Sequence, residues 1–300
     1  MAKKILITGA SGLVGTRLTE MLLEKGHHVS HVGRTKKSGR VLSFVWDVEK
    51  NEIEQEALVG VDTIIHLAGA GVAEKRWNEN RKKEILVSRT KSSALLYQTL
   101  NKGNHGVKTF VSASAIGYYG FCLDERIFTE DSKPGSDYLA QVTKQWEESV
   151  DPISELGIRV TKLRIGIVLS NKGGALQEMA KPIRYGVGAA LGSGNQYLSW
   201  IHIDDLCALF VKAAEDEKMH GAYNAVCDCV TNKEITKSIA HILKKPLWLP
   251  PVPAFMMRII IGEMAMIVVN GSKVSSDKIR ATGFVFQYTD LEKALVDLLV

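Results

Sequence analysis

The chain has 300 residues, 45% apolar and 24% charged, the balance of a globular protein long enough for one large domain or two smaller lobes. Its formal charge of +5 is mild, and the run from Arg34 to Lys37 is the one notable basic cluster, so nucleic acid is not an expected partner. Cys122, Cys207, Cys227 and Cys229 lack zinc-site spacing and read as reduced thiols, with no metal expected.

The chain opens on an apolar strand, Ile5 to Ile7, followed by a turn holding Gly9, Ser11, Gly12 and Gly15. Leu13, Val14, Leu18, Met21 and Leu22 then recur as the apolar side of a helix. Strand, glycine turn and helix in that order are the fingerprint of a dinucleotide site. The first glycine permits the turn, the second lets the backbone approach a pyrophosphate, and the third brings helix and strand together. The unpaired N–H groups of the helix start, from Ser11 to Gly15, then face the phosphates. A second strand, residues 28–33, ends at Gly33 and Arg34. An acid there binds the 2′-hydroxyl of NAD, whereas an arginine accommodates the 2′-phosphate of NADP. Arg34 therefore favours NADP over NAD, against the plainer reading of an exposed basic loop.

Residues 41–46 form a third strand. Asp47 at its end is placed either to meet the adenine amino group or to cap the next turn. A fourth strand, residues 61–67, runs into Ala68, Gly69, Ala70 and Gly71, small residues that let a cofactor pass close to the backbone. Residues 75–100 read as helix, with Glu84 and Arg89 on the cofactor side. The fifth strand, residues 108–113, delivers Ser112, Ser114, Tyr118 and Tyr119 to the carboxyl edge, where parallel sheets bind ligands. Tyr138 precedes a helix over 139–149, and residues 159–169 make a sixth strand. The fold class is therefore α/β, a Rossmann-type doubly wound parallel sheet.

Beyond Ser170 glycines dominate, around a short helix over 175–184. His202, Asp204 and Asp205 invite a catalytic or metal reading, but a helix start with Asp204 as its cap explains them better. Residues 222–226 form one more strand, and a proline cluster introduces a helical tail. Its most apolar stretch, residues 255–269, is interrupted by Arg258, Gly262 and Glu263 and falls short of the roughly 18 residues a membrane span needs. With Ile5 already in the first strand, no leader is expected, and the reading is a cytoplasmic protein with no membrane partner. The expected division is a dinucleotide-binding domain over 1–170, joined again by 198–228, and a smaller, mainly helical substrate lobe from 171–197 and 229–300.

The residues resemble the extended short-chain dehydrogenase/reductase superfamily, whose T-G-x-x-G-x-x-G motif runs here from Thr8 to Gly15. More narrowly they resemble its atypical "epimerase family protein" branch, which has its own C-terminal domain. The matching features are SAIGYYG at 114–120, RIGIVL at 164–169, LGSG at 191–194, SWIHIDD at 199–205, GSKV at 271–274 and GFVF at 283–286. The resemblance implies NADP contacts at Gly33, Arg34, Leu67, Ala68, Glu84, Arg89 and Val168.

The wider superfamily pairs its tyrosine with a lysine four residues on, which lowers the phenol from its usual value of about 10. Here Tyr138 takes the tyrosine's place, but Val142 stands where the lysine belongs. Lys144, six residues on, lies about 240° round the helix. Ser114, Tyr138 and Tyr118 remain the catalytic candidates. The first reading is an NADP-dependent oxidoreductase or epimerase acting on a small hydroxyl or carbonyl substrate, with a homodimer as an admissible assembly. The alternative is a non-catalytic NADP(H)-binding sensor on a reductase scaffold.

Overall fold

Ile5, Leu6 and Ile7 are all sealed from water, as are Ile64 and Ile65 on the strand paired beside them in the sheet. A strand covered on both faces needs a continuous apolar run rather than alternation. These two runs form the centre of the sheet. The computed structural model describes residues 2–103, 105–122 and 125–300. The chain passes through β1 (Lys4–Thr8), α1 (Leu13–Glu24), β2 (His28–Gly33), β3 (Leu42–Asp47), β4 (Glu52–Ile53), β5 (Thr63–His66) and α2 (Glu79–Asn101). It continues through β6 (Thr109–Ala115), β7 (Ile127–Phe128), α3 (Tyr138–Val150), β8 (Arg159–Ile165), β9 (Ile167–Leu169), α4 (Ala175–Arg184), β10 (Tyr197–His202) and α5 (Ile203–Glu215). The remainder is β11 (Gly221–Ala225), β12 (Asp228–Thr231), α6 (Asn232–Ile242), α7 (Ala254–Ile261), α8 (Ala265–Val269), β13 (Lys273–Val274), α9 (Asp277–Ala281) and α10 (Leu291–Leu299).

Parallel strands lie in the order β3-β2-β1-β5-β6-β8-β11, with β4 antiparallel outside β3. α1 and α5 pack together on one side of the sheet and α2 and α3 on the other, as right-handed crossovers require. The fold is thus the expected doubly wound α/β sheet. Its strand order reverses between β1 and β5, and at such a switch point the carboxyl ends of the strands splay to leave a crevice.

The expected sixth strand is two. A Cβ at Gly166 would stand 2.5 Å from the Ser199 carbonyl oxygen, so only glycine lets β10 approach here. Before Gly166, β8 belongs to the main sheet. After it, β9 leaves to pair with β10, which takes β12 antiparallel on its other edge. Of residues 198–228, α5 and β11 rejoin the main domain, whereas β10 lies in this small sheet. The helix expected from residue 75 begins at Glu79, because Asn78 Oδ1 accepts from the Arg81 N–H at 2.8 Å and closes its first turn. The tail folds back on the main domain, where both oxygens of buried Asp205 accept backbone N–H bonds, from Gln287 at 2.7 Å and Tyr288 at 3.0 Å.

Candidate functional site at the carboxyl edge

The crevice floor is the turn from Gly9 to Gly15. Gly9 has φ +69°, and a Cβ on it would meet the Leu67 carbonyl carbon at 2.7 Å and the Ala68 nitrogen at 2.8 Å. A Cβ on Gly15 would stand 2.6 Å from both the Ala10 Cα and the Gly9 oxygen. These two glycines press the turn against the end of β5 and against α1. Gly12 is the helix cap and supplies no side-chain bond, and the first turn of α1 holds no acid. Asn78, Asp137, Thr231 and Asp290 close α2, α3, α6 and α10 with their side chains, whereas α1, like α4, α7, α8 and α9, starts without a side-chain cap, and among these α1 is the one that follows the glycine turn at the switch point. Its N–H groups, around Ser11, Leu13 and Val14, are left for an anion. Val168 borders the same place, since a Cβ on Gly174 would lie 3.3 Å from Leu13 and 4.0 Å from the Val168 oxygen.

Thr8 ties β1 to the end of β5. Its hydroxyl accepts from the Leu67 and Ala68 N–H groups, both at 3.1 Å, and lies 2.7 Å from His66 Nδ1. Burial pushes His66 down to about 3, so the ring is neutral. No sequence pattern singled out this histidine; its role depends on Thr8 and on Ser92 and Ser93 of α2, 3.3 Å from its Nε2. Beyond it, a Cβ on Gly69 would lie 3.1 Å from the Arg89 guanidinium carbon. Arg89 donates to the carbonyls of Ala70 at 3.0 Å and Ile85 at 2.8 Å, and stacks over Trp146 with 5.0 Å to the ring centroid. It is buried and forms no ion pair with a carboxylate among the described residues. Burial brings it down to about 10, so it stays charged at neutral pH.

Arg34 follows Gly33 at the end of β2. It is exposed and makes no hydrogen bond or ion pair among the described residues. Its charge reaches Glu84, whose carboxyl is held below its ordinary range first by the bond from Arg81, at 2.7 Å, and more weakly by Arg34. Asp47 has the second of its two expected placements: one carboxylate oxygen accepts from the N–H groups of Glu49 at 3.0 Å and Lys50 at 3.1 Å, closing the turn after β3.

The three catalytic candidates are differently placed. Tyr138 begins α3, and its hydroxyl donates to the Lys82 carbonyl at 2.8 Å. Burial raises the phenol, while Arg89 and then Lys82 pull it back. Val142 packs with Trp77, Ile85 and Met264, so the lysine's place is part of an apolar cluster. Ser114 is buried and donates to Glu147 Oε1 at 2.6 Å. Arg164 grips the same carboxylate with Nε at 2.8 Å and Nη2 at 2.9 Å, and its guanidinium carbon lies 3.6 Å from the centroid of the Tyr118 ring. Burial would raise Glu147, but the bonds from Arg164 and Ser114 outweigh it and leave the carboxyl below its usual range. The network also holds Tyr119, which burial pushes up to about 12, so it carries its proton. Ser114 and Tyr118 thus meet Glu147 and Arg164, while Tyr138 stands apart beside α2.

The cap of α5 is His202, whose Nδ1 accepts from the Asp204 N–H at 3.1 Å. Asp204 instead takes Arg17 of α1 in a fork, at 2.6 and 3.2 Å. The helix starts at Ile203, so the cap falls on His202, two residues before the Asp204 that the sequence suggests. No group of three or more His, Cys, Asp or Glu residues is arranged for a metal among the described residues.

Fold and site together define a Rossmann-type protein with an open anion cradle at its switch point. The NAD dependent epimerase/dehydratase family matches residues 5–225, and the chain belongs to it. Residues 252–298 match a domain of unknown function, DUF1731. The chain is 36% identical over 304 residues to the epimerase family protein SAR0825 of Staphylococcus aureus (strain MRSA252), covering 99% of each. With the epimerase family protein YfhF of Bacillus subtilis (strain 168) it shares 34% over 299 residues, 98% of this chain and 97% of the relative. The crystal structure of human epimerase family protein SDR39U1 (isoform 2) with NADPH superposes with a TM-score of 0.88 at 29% identity, covering 98% of each chain.

Proposed function

We propose that this protein binds NADP(H) at the carboxyl edge and is an epimerase-like oxidoreductase for a small hydroxyl or carbonyl compound. The observation that carries the cofactor half is the uncapped start of α1 beside Gly9 and Gly15. The residues fit a dinucleotide: backbone N–H groups of Ser11, Leu13, Val14 and Gly15 for the pyrophosphate, Gly33 and Arg34 for the 2′-phosphate, and Leu67, Ala68, Gly69, Arg89 and Val168 along its path; the Gly12 N–H is bonded to the Gly9 carbonyl at 3.0 Å. A nicotinamide bound there supplies reversible two-electron exchange with a substrate carbon. The NADPH of the human SDR39U1 structure supports the choice of nucleotide. Arg89 is a fixed positive charge without a carboxylate beside that path, suited to phosphate oxygens.

Tyr138 is the proton-carrying group in this reading. Its phenol is raised by burial and so keeps its proton at neutral pH, ready to donate to a substrate oxygen once released from the Lys82 carbonyl. Glu147 and Arg164 hold the end of β6 and the Tyr118 ring rigid beneath the substrate. One observation favours a second reading, a non-catalytic NADP(H) sensor: the lysine's place is filled by Val142, packed in an apolar cluster. Turnover separates the two. Purified protein is given NADPH with a panel of aldehydes and ketones, and nucleotide sugars are followed by product analysis, because an epimerase shows no net consumption of cofactor. Turnover that falls by about a hundredfold in Tyr138→Phe, the scale of a lost general acid, supports the enzyme. No turnover in any assay, with NADPH still bound, supports the sensor.

A further inference from the structure

Eight of the fourteen exposed large apolar side chains among the described residues fall in two segments, 185–187 and 247–260. The segments touch: Trp248 Nε1 donates to the Gly186 carbonyl at 2.9 Å, and Val252 exchanges backbone bonds with Ala190 and Gly192, both at 2.8 Å. The patch continues into α7, an eight-residue helix with no buried residue. Phe255 and Ile259, and Met256 and Ile260, are each four residues apart, so they share one face of it. Phe255 is 64% exposed, Ile259 71% and Trp248 67%. A contiguous apolar surface of this kind marks a contact site rather than ordinary surface scatter.

The charges around it are mostly positive; Glu263 and Glu292 stand at its border, and Glu263 is paired with Lys82. Arg184, Lys244, Lys245 and Arg258 are exposed within residues 182–188 and 243–262, and those two stretches contain no Asp or Glu. In an isologous dimer built on this face, the same cations would meet their own copies, which costs free energy. An anionic bilayer surface suits it better. A short, largely apolar helix carrying one arginine, with exposed cations on the neighbouring segments, suits the headgroup region, where tryptophan is also favoured. Each nearby cation adds attraction to anionic lipid. Resting on a bilayer is distinct from crossing one, and no helix among the described residues is long and apolar enough to cross.

We infer that the face formed by α7 and the Trp248 strap is a docking surface for anionic membranes. It depends on no assumption about the reaction or the cofactor.

Tryptophan fluorescence tests it directly, because Trp46, Trp77, Trp146 and Trp200 are buried and Trp248 is the exposed one of the five. The full-length protein is mixed with equimolar phosphatidylglycerol and phosphatidylcholine vesicles, then with phosphatidylcholine alone. The expected result is a blue shift of the Trp248 emission and co-sedimentation with the anionic vesicles only. Phe255→Ser with Ile259→Ser should abolish both. Lys244→Gln with Lys245→Gln, which leaves the apolar face intact, should lower partitioning roughly thirtyfold. Unchanged emission and a protein left in the supernatant with anionic vesicles would overturn the inference. So would equal binding to both lipids, or a dimer in ultracentrifugation that the Phe255→Ser, Ile259→Ser pair turns into monomer.

Discussion

Glu147 shows what a single residue contributes at the edge of this sheet. A carboxylate with little access to water is stable only when paired and hydrogen-bonded, and Arg164 and Ser114 supply both. Replacing Glu147 with Ala strands the Arg164 charge, with an expected loss of about 3 kcal/mol in urea unfolding. The pH dependence has a definite sign. The folded-state carboxyl lies below its unfolded value of about 4.3. The stabilisation from its ionised form is therefore complete above that range and is lost as pH falls through the folded value. Unfolding of the wild type followed from pH 6 to pH 3 should show this loss, and Glu147→Ala should show less of it. Equal acid sensitivity in both would remove Glu147 from the account. Ser114 also shows where the sequence becomes hard to read. A serine at a strand end suggests a substrate contact, but its actual partner is a carboxylate 33 positions away on α3, a pairing that local pattern does not encode.

At the scale of elements, the β1–α1 turn was legible because its constraints are local: an apolar run, three glycines at fixed spacing, and a helix with apolar periodicity. The helix over 175–184 was legible for the same reason and has those bounds in the fold. The break between β8 and β9 was not. Gly166 is needed because Ser199 lies against it, and that contact joins residues far apart in sequence. The cap of α5 was displaced from Asp204 to His202 for a similar reason, since Arg17 of α1 occupies the Asp204 carboxylate. The turn carries its own test. In Gly15→Ala the added Cβ must push against Ala10 and the Gly9 oxygen, both backbone atoms that cannot swing aside. The helix should survive, since alanine favours it, but the cradle should open. NADPH affinity is expected to fall tenfold or more with unchanged far-UV circular dichroism. Wild-type affinity in this variant would mean that the close approach of turn and helix has no part in binding.

For the molecule as a whole, the parallel sheet brings Gly9, Arg34, Leu67, Arg89 and Val168, spread over more than half the chain, to one edge. The small sheet and the tail rest beside that edge, with Met264 against Trp77 and Val142, and Glu263 paired with Lys82. This arrangement places the C-terminal segment against the cluster that holds Tyr138. We propose that the edge holds NADP(H) and reads its 2′-phosphate through Arg34. The measurement that bears on it most directly is calorimetric titration of the wild type and of Arg34→Ala with NADPH and with NADH. A lost charge-assisted contact to phosphate is worth roughly 2 kcal/mol. The expected result is that the wild type prefers NADPH, and that Arg34→Ala loses about tenfold or more for NADPH while NADH binding hardly changes. Equal losses for the two nucleotides, or no binding of either to the wild type, would contradict it.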